Sequence, residues 1–167
     1  MTTFYVGIGS NLEPVKHIKK ALGILEGRFG ELQRSPIYQN PAVGFEGPDF
    51  LNMVIAFESD TVVIELPALL QNIEAQVGLA PEQKRKFRSR IIDIDLLLAD
   101  NIVYKDQNLT LPRPGICQFA FILKPLLDLC PDLSDPKTKQ PYSTAMNQLA
   151  QEYDISKLQR IVFSEEK

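Results

Sequence analysis

The chain has 167 residues, 44% of them hydrophobic and 23% charged, which suits one soluble domain with a sizeable core. A net charge of -3 and a pI near 5.2 argue against a general nucleic-acid binder, which would be basic. Two cysteines and one histidine leave no material for a disulfide framework or the usual His/Cys zinc sites, so any metal would be hard and oxygen-liganded.

In chain order, the opening has no charged segment ahead of a long apolar run, so no signal peptide is expected. No stretch approaches the roughly 18 apolar residues of a membrane helix, and a reducing cytoplasm fits the cysteine usage. Phe4, Val6 and Ile8 alternate in a first strand over 3–10, ended by Gly9-Ser10-Asn11. Pro14 opens a helix with Ile18, Ala21, Leu22 and Leu25 on one face, closed by Gly30. His17, between Lys16 and Ile18, is expected at the surface. A strand over 32–38, a shaped loop over 40–48 and a strong strand over 50–59 follow. Leu66, Leu69, Leu70, Ile73 and Val77 mark a second helix, with Gly78 as its stop. Residues 79–89 read as an open basic loop and 91–99 as a strand. Short strands are expected over 102–104 and 109–111, helices over 119–129 and 142–154, and an edge strand over 159–163. Cys117 and Cys130 are expected in the core. The leading order β-α-β-β-α-β is that of a split βαβ, ferredoxin-like unit, here a single domain over 1–167.

The sharpest local feature is Arg90-Ile91-Ile92-Asp93-Ile94-Asp95-Leu96. On a strand, Asp93 and Asp95 share one face, while Ile92, Ile94 and Leu96 take the other. At a rise of ~3.3 Å per residue their carboxylates repel, and a divalent cation would relieve the repulsion. Magnesium suits one or two carboxylates completed by substrate phosphates. A solvated strand face with two harmless aspartates would show the same pattern.

Five of the seven residues from Lys84 to Arg90 (Lys84, Arg85, Lys86, Arg88, Arg90) are basic in an acidic protein. Arginines there offer bidentate donors to polyphosphate. Alone the segment reads as a solvated loop; beside an aspartate pair it points to nucleotide phosphoryl transfer. Asn52 alternates with Phe50 on one strand face, after the loop Asn40-Pro41-Ala42-Val43-Gly44. A buried Asn beside aromatics can read the edge of a flat heterocycle, or serve only the structure.

Together, Gly9-Ser10-Asn11-Leu12, Pro48-Asp49-Phe50-Leu51-Asn52, Gln71-Asn72-Ile73-Glu74 and the Arg90-to-Asp95 stretch resemble the 6-hydroxymethyl-7,8-dihydropterin pyrophosphokinase family of folate biosynthesis. Leu109-Thr110-Leu111-Pro112 and Phe121 to Leu126 fit the same resemblance, which runs over about residues 4–135. It implies an α+β, ferredoxin-like α/β/α sandwich with a mostly antiparallel sheet. It also implies an ATP-dependent diphosphokinase that transfers the diphosphate of ATP to the hydroxymethyl pterin and releases AMP. Asp93 and Asp95 would hold two Mg²⁺ ions and, with Arg90, act in catalysis. Gln71, Glu74, Arg85, Arg88, Arg90, Leu96, Thr110 and Arg113 would serve ATP. Asn40, Pro41, Val43, Phe50, Asn52, Phe87 and Phe121 would serve the pterin. The implied partners are small-molecule substrates only, with a monomeric, cytoplasmic protein. Departures from the family pattern fall at Leu79, Arg88, Ser89, Arg113 and Phe119, and at Gln39-Asn40 in the pterin loop. Arg85, Lys86, Arg88 and Arg113 would return charge from new positions. The other readings are a paralogue using a related pterin and a weakly catalytic protein that binds nucleotide or pterin.

Overall fold

A computed structural model describes residues 1–79 and 89–163. Its main sheet runs in the order β5-β1-β4-β3-β8, from β1 (Thr2–Ser10), β3 (Ile37–Asn40), β4 (Phe50–Ser59), β5 (Asp93–Ala99) and β8 (Gln159–Ile161). A short β2 (Gln33–Arg34) also pairs with β4, and β6 (Tyr104–Lys105) pairs with β7 (Thr110–Leu111) outside the sheet. Every pairing among these strands is antiparallel. The expected order is present as β1, α1 (Pro14–Phe29), β3, β4, α2 (Leu66–Val77), β5, with β4 lying between β1 and β3.

The two helices begin and end for local reasons. Pro14 and Pro67 sit in first turns, where a missing N–H costs nothing. Gly30, at φ 82, and Gly78, at φ 127, turn the chain out while their N–H groups satisfy the Glu26 and Glu74 carbonyls. Ile18, Ala21, Leu22 and Leu25 of α1, with Leu66, Leu70, Ile73 and Val77 of α2, are buried against Phe4, Val6, Ile8, Ile55 and Phe57. The opposite face of the sheet meets α3 (Ala120–Leu129) and α4 (Tyr142–Glu152) through Val54, Leu97, Leu98, Leu123, Leu126 and Tyr142. The result is the α/β/α sandwich. No helix among the described residues is long and apolar enough to cross a membrane.

Four expectations are corrected. The strand over 32–38 is two pieces, because Pro36 has no N–H for a ladder. Ser35 bridges the break by donating its N–H to the Val54 carbonyl and accepting the Val54 N–H on Oγ, both at 2.9 Å. The strand expected from 91 begins at Asp93. His17 is buried, with Nδ1 donating to the Leu12 carbonyl at 2.6 Å. Cys117 is exposed and Cys130 half-buried, so neither is a core residue.

Candidate active site

The α3–α4 face is packed at one end and open at the other. β1 pairs Gly9 with Asn52 of β4 on one side and with Asp93 of β5 on the other; one step along, Gly7 pairs with Val54 and Asp95. Side chains at these positions point to the same face. Aspartates therefore line one side of a trough, an asparagine the other, and the strand between them has no side chains at the two facing positions. A Cβ on Gly9 would lie 2.6 Å from Asn52 Oδ1, so glycine is required for the asparagine to stand where it does. The resulting cavity has a volume of about 430 Å³.

β5 delivers the acidic wall. Asp93 and Asp95 alternate with Ile94 and Leu96, which are buried beneath α1 and α2. Leu97 follows Asp95 into the cavity wall by alternation, and the β1–β5 register shift between Tyr5 and Val6 brings Leu98 to the α3–α4 side as well. Arg90 Nη1 stands 3.3 Å from Asp93 Oδ2, and Arg113 Nη2 stands 3.6 Å from Asp95 Oδ2. The four ionisable side chains lining the cavity among the described residues are this pair of arginines and this pair of aspartates.

The two arginines are mounted differently. Arg90 is held by Asn11, whose Oδ1 accepts the Arg90 N–H at 2.8 Å and whose own N–H donates to the Arg90 carbonyl at 3.2 Å. Asn11 Nδ2 also donates to Pro48 O and Ser89 Oγ, tying the end of β1 to both flanking loops. Arg113 sits after the cis Leu111–Pro112 bond, and its N–H donates to the Leu97 carbonyl at 2.9 Å.

The other wall is flat and apolar. Asn52 Nδ2 donates to Asn40 Oδ1 at 2.7 Å, and Asn40 Nδ2 donates to Pro41 O at 3.0 Å, so the relay sets the amide of Asn52. Phe45 and Phe50 meet edge to face with centroids 6.1 Å apart, and Phe119 and Phe121 stack at 5.2 Å. These four rings and Val43 border the cavity. Tyr38, next to Asn52 across the strands, is sealed under α3 and donates to Asp128. Burial first, then the Asp128 bond, push its hydroxyl above the usual phenol range. Tyr38 does not line the cavity.

Of the residues named from sequence, Arg90, Asp93, Asp95, Arg113, Asn40, Val43, Phe50, Asn52 and Phe121 line this one cavity. Gln71, Glu74, Leu96, Thr110 and Pro41 do not line it. Gln71 is exposed on α2, Glu74 is buried, and the Leu96 side chain belongs to the core under α1 and α2. Arg85, Phe87 and Arg88 lie outside the described residues. Sequence reasoning missed the roles of Gly7, Gly9 and Asn11, and the wall residues Phe45, Phe119 and Leu97. Their signal was Gly7-Ile8-Gly9-Ser10-Asn11 itself, two glycines one alternation apart at the end of a strand.

The donor set fits a magnesium ion. Two carboxylates face one cavity, and no group of three or more His, Cys, Asp or Glu gathers among the described residues. Such a set leaves most coordination positions for phosphate oxygens and water, which is magnesium's habit and not zinc's.

The model of a family described as 7,8-dihydro-6-hydroxymethylpterin-pyrophosphokinase matches residues 5–131. The chain is 33% identical over 144 residues to the 2-amino-4-hydroxy-6-hydroxymethyldihydropteridine pyrophosphokinase of Aquifex aeolicus, covering 84% of this chain and 88% of that one. It is 34% identical over 149 residues to the folic acid synthesis protein fol1 of Schizosaccharomyces pombe, covering 87% of this chain and 20% of that protein. Among solved structures, Plasmodium falciparum HPPK-DHPS with pteroate matches at a TM-score of 0.77 and 14% identity, over 96% of this chain and 46% of that one. That likeness shows the fold. The chain thus spans about a fifth of the Schizosaccharomyces protein and under half of the Plasmodium one.

Proposed function

The chain belongs to the 7,8-dihydro-6-hydroxymethylpterin-pyrophosphokinase family, and from that premise we propose that it transfers the β,γ-diphosphate of ATP to the hydroxymethyl oxygen of 6-hydroxymethyl-7,8-dihydropterin, releasing AMP, in folate biosynthesis. In that transfer a bond forms between the hydroxymethyl oxygen and the β-phosphorus. The bond from that phosphorus to the bridging oxygen of AMP breaks, and the hydroxyl proton leaves to solvent.

The observation that carries the reading is the row Asp93–Gly9–Asn52 across three neighbouring strands. It sets a carboxylate pair and an amide on opposite sides of a trough floored by bare backbone, so two substrates can lie side by side in it. On the amide side, Asn52, held by Asn40, would read the donor–acceptor edge of the pterin, with Val43, Phe50 and Phe121 against its faces. On the acidic side, Asp93 and Asp95 would hold magnesium, with Arg90 and Arg113 beside them. Magnesium, when bound there, would supply charge neutralisation on the phosphate oxygens.

Among the described residues, the charge lining the cavity balances at two arginines against two aspartates. A triphosphate therefore calls for further cations, which the basic run of Lys84, Arg85, Lys86 and Arg88 would supply from the adjoining sequence. Gln71, Glu74, Leu96 and Thr110 are proposed toward the nucleotide on the family resemblance. With the two aspartates as the acidic side chains lining the cavity among the described residues, the chain acts by positioning and electrostatics, not by a strong general base.

The test is an AMP-release assay with ATP, Mg²⁺ and 6-hydroxymethyl-7,8-dihydropterin. AMP and pterin diphosphate should appear in equal amounts. No AMP above background at saturating substrates would leave a protein that only binds.

A further inference from the structure

The two arginines at the acidic wall differ in a way that gives them different tasks. The Arg90 side chain is 9% exposed and its backbone is bonded on both sides to Asn11. The Arg113 side chain is 42% exposed, follows a two-residue strand, and is tied to the sheet by one backbone hydrogen bond. Its guanidinium meets Asp95 at 3.6 Å, while the Asp95 side chain is only 20% exposed. A 3.6 Å ion pair with one partner 42% exposed is weak and easily exchanged, because solvent screens it and the long side chain has other rotamers. The other partner is mostly buried, so its charge carries the larger desolvation penalty and calls for a counter-ion in either state.

We propose that Arg113 is an exchangeable counter-ion. It neutralises Asp95 while the cavity holds no nucleotide, and turns to the polyphosphate when a metal–nucleotide complex takes Asp95. The guanidinium is a planar fork suited to phosphate oxygens as well as to a carboxylate, so the same group serves both states. A divalent ion arriving alone must displace Arg113 with nothing to receive it. An ion arriving with its nucleotide releases the arginine onto phosphate. Metal and nucleotide therefore favour each other's binding through this residue, and the coupling is reciprocal. Arg113 acts here as a positioning and charge-balancing residue. Arg90, buried and clamped, stays with Asp93 in both states.

The inference rests on the reading of the cavity as a metal–nucleotide site, and the experiment separates the two. Mn²⁺ binding is followed by electron paramagnetic resonance of the free ion, with Mn²⁺ alone and with Mn²⁺ plus α,β-methylene-ATP, in the wild type, R113Q and R113K. In R113Q, Mn²⁺ alone should bind about 3- to 10-fold tighter, since one competing cation is removed, while Mn²⁺ with the analogue binds about 10-fold weaker. R113K, which keeps the charge, should return the metal-alone affinity to near wild type. A merely structural role for Arg113 would weaken both affinities together and lower the melting temperature. If R113Q leaves the metal-alone affinity unchanged or lowers it, the counter-ion role is wrong even though the site stands. If the wild type binds no Mn²⁺ even with the analogue, the metal–nucleotide reading of the cavity fails, and this inference with it.

Discussion

β1 shows two regions of the molecule back to back. On one side, Phe4, Val6 and Ile8 are 0 to 2% exposed and pack into the layer of α1 and α2. On the other, Gly7 and Gly9 leave the sheet bare between Asp95 and Val54 and between Asp93 and Asn52. The first region is filled to exclude water and holds the fold together. The second is kept empty, so polar groups converge on a space that a ligand must complete. Stability and function are therefore assigned to opposite faces of the same nine residues, and mutations should separate them.

The largest effect should come from Asp95→Ala. Losing a carboxylate proposed to hold the metal should cut turnover about 10³-fold, ~4 kcal/mol of transition-state stabilisation, with the melting temperature nearly held, because the Arg113 left behind is 42% exposed. Turnover within a factor of two of wild type would break the division at its functional side. Next, Leu70→Ala on the packed face should lose ~3 kcal/mol in a urea titration, because Leu70 is 1% exposed and its removal opens a cavity. Turnover per folded molecule should not change. Asn52→Ala should weaken pterin binding by ~2 kcal/mol, read by calorimetry, and leave the ATP analogue nearly untouched. Equal losses for both ligands would remove the pterin edge from Asn52.

Gly9→Ala sharpens the comparison further. It adds one methyl 2.6 Å from Asn52 Oδ1, so the pterin KM should rise about 10-fold at a stability cost near 1 kcal/mol. The smallest effect should be found away from both regions, at the β6–β7 hairpin. Asp106 accepts from Tyr104 Oη and from the N–H groups of Asn108 and Leu109, which hold its carboxyl below the ordinary value of 3.8. A depressed carboxyl stabilises above its unfolded pKa and loses that contribution as pH falls through the folded one. The melting-temperature gap between wild type and Asp106→Ala should be small near neutrality and close below about pH 4, without any change in turnover.

Much of the fold was legible because its elements are marked by local chemistry. Pro14, Gly30 and Gly78 bound the helices, and the apolar spacing at Ile18, Ala21, Leu22 and Leu25 names the buried face of α1. The break at Ser35–Pro36 was missed because the apolar residues on both sides of it read as one strand. His17 was misplaced because its charged neighbour Lys16 read as a surface signal, whereas it stands four residues before buried Ala21 and its ring donates to the Leu12 carbonyl. The candidate site was half legible. Asp93 and Asp95 share a face by alternation alone, but nothing in their own segment says what stands opposite.

By itself, the sequence determined the order of strands and helices, the face shared by the two aspartates and the family to which they belong. These follow from period, capping chemistry and motif, all of which are local. The tertiary structure decided that Gly9 is paired with Asn52 and Asp93 at once, that Asn11 clamps Arg90, and that Arg113 reaches Asp95 across 18 residues of chain. The reason is physical: antiparallel register and the β1–β5 bulge are set by the burial of whole faces. Only when those faces are packed does the space over two glycines become a cavity with charges on one side and an amide on the other.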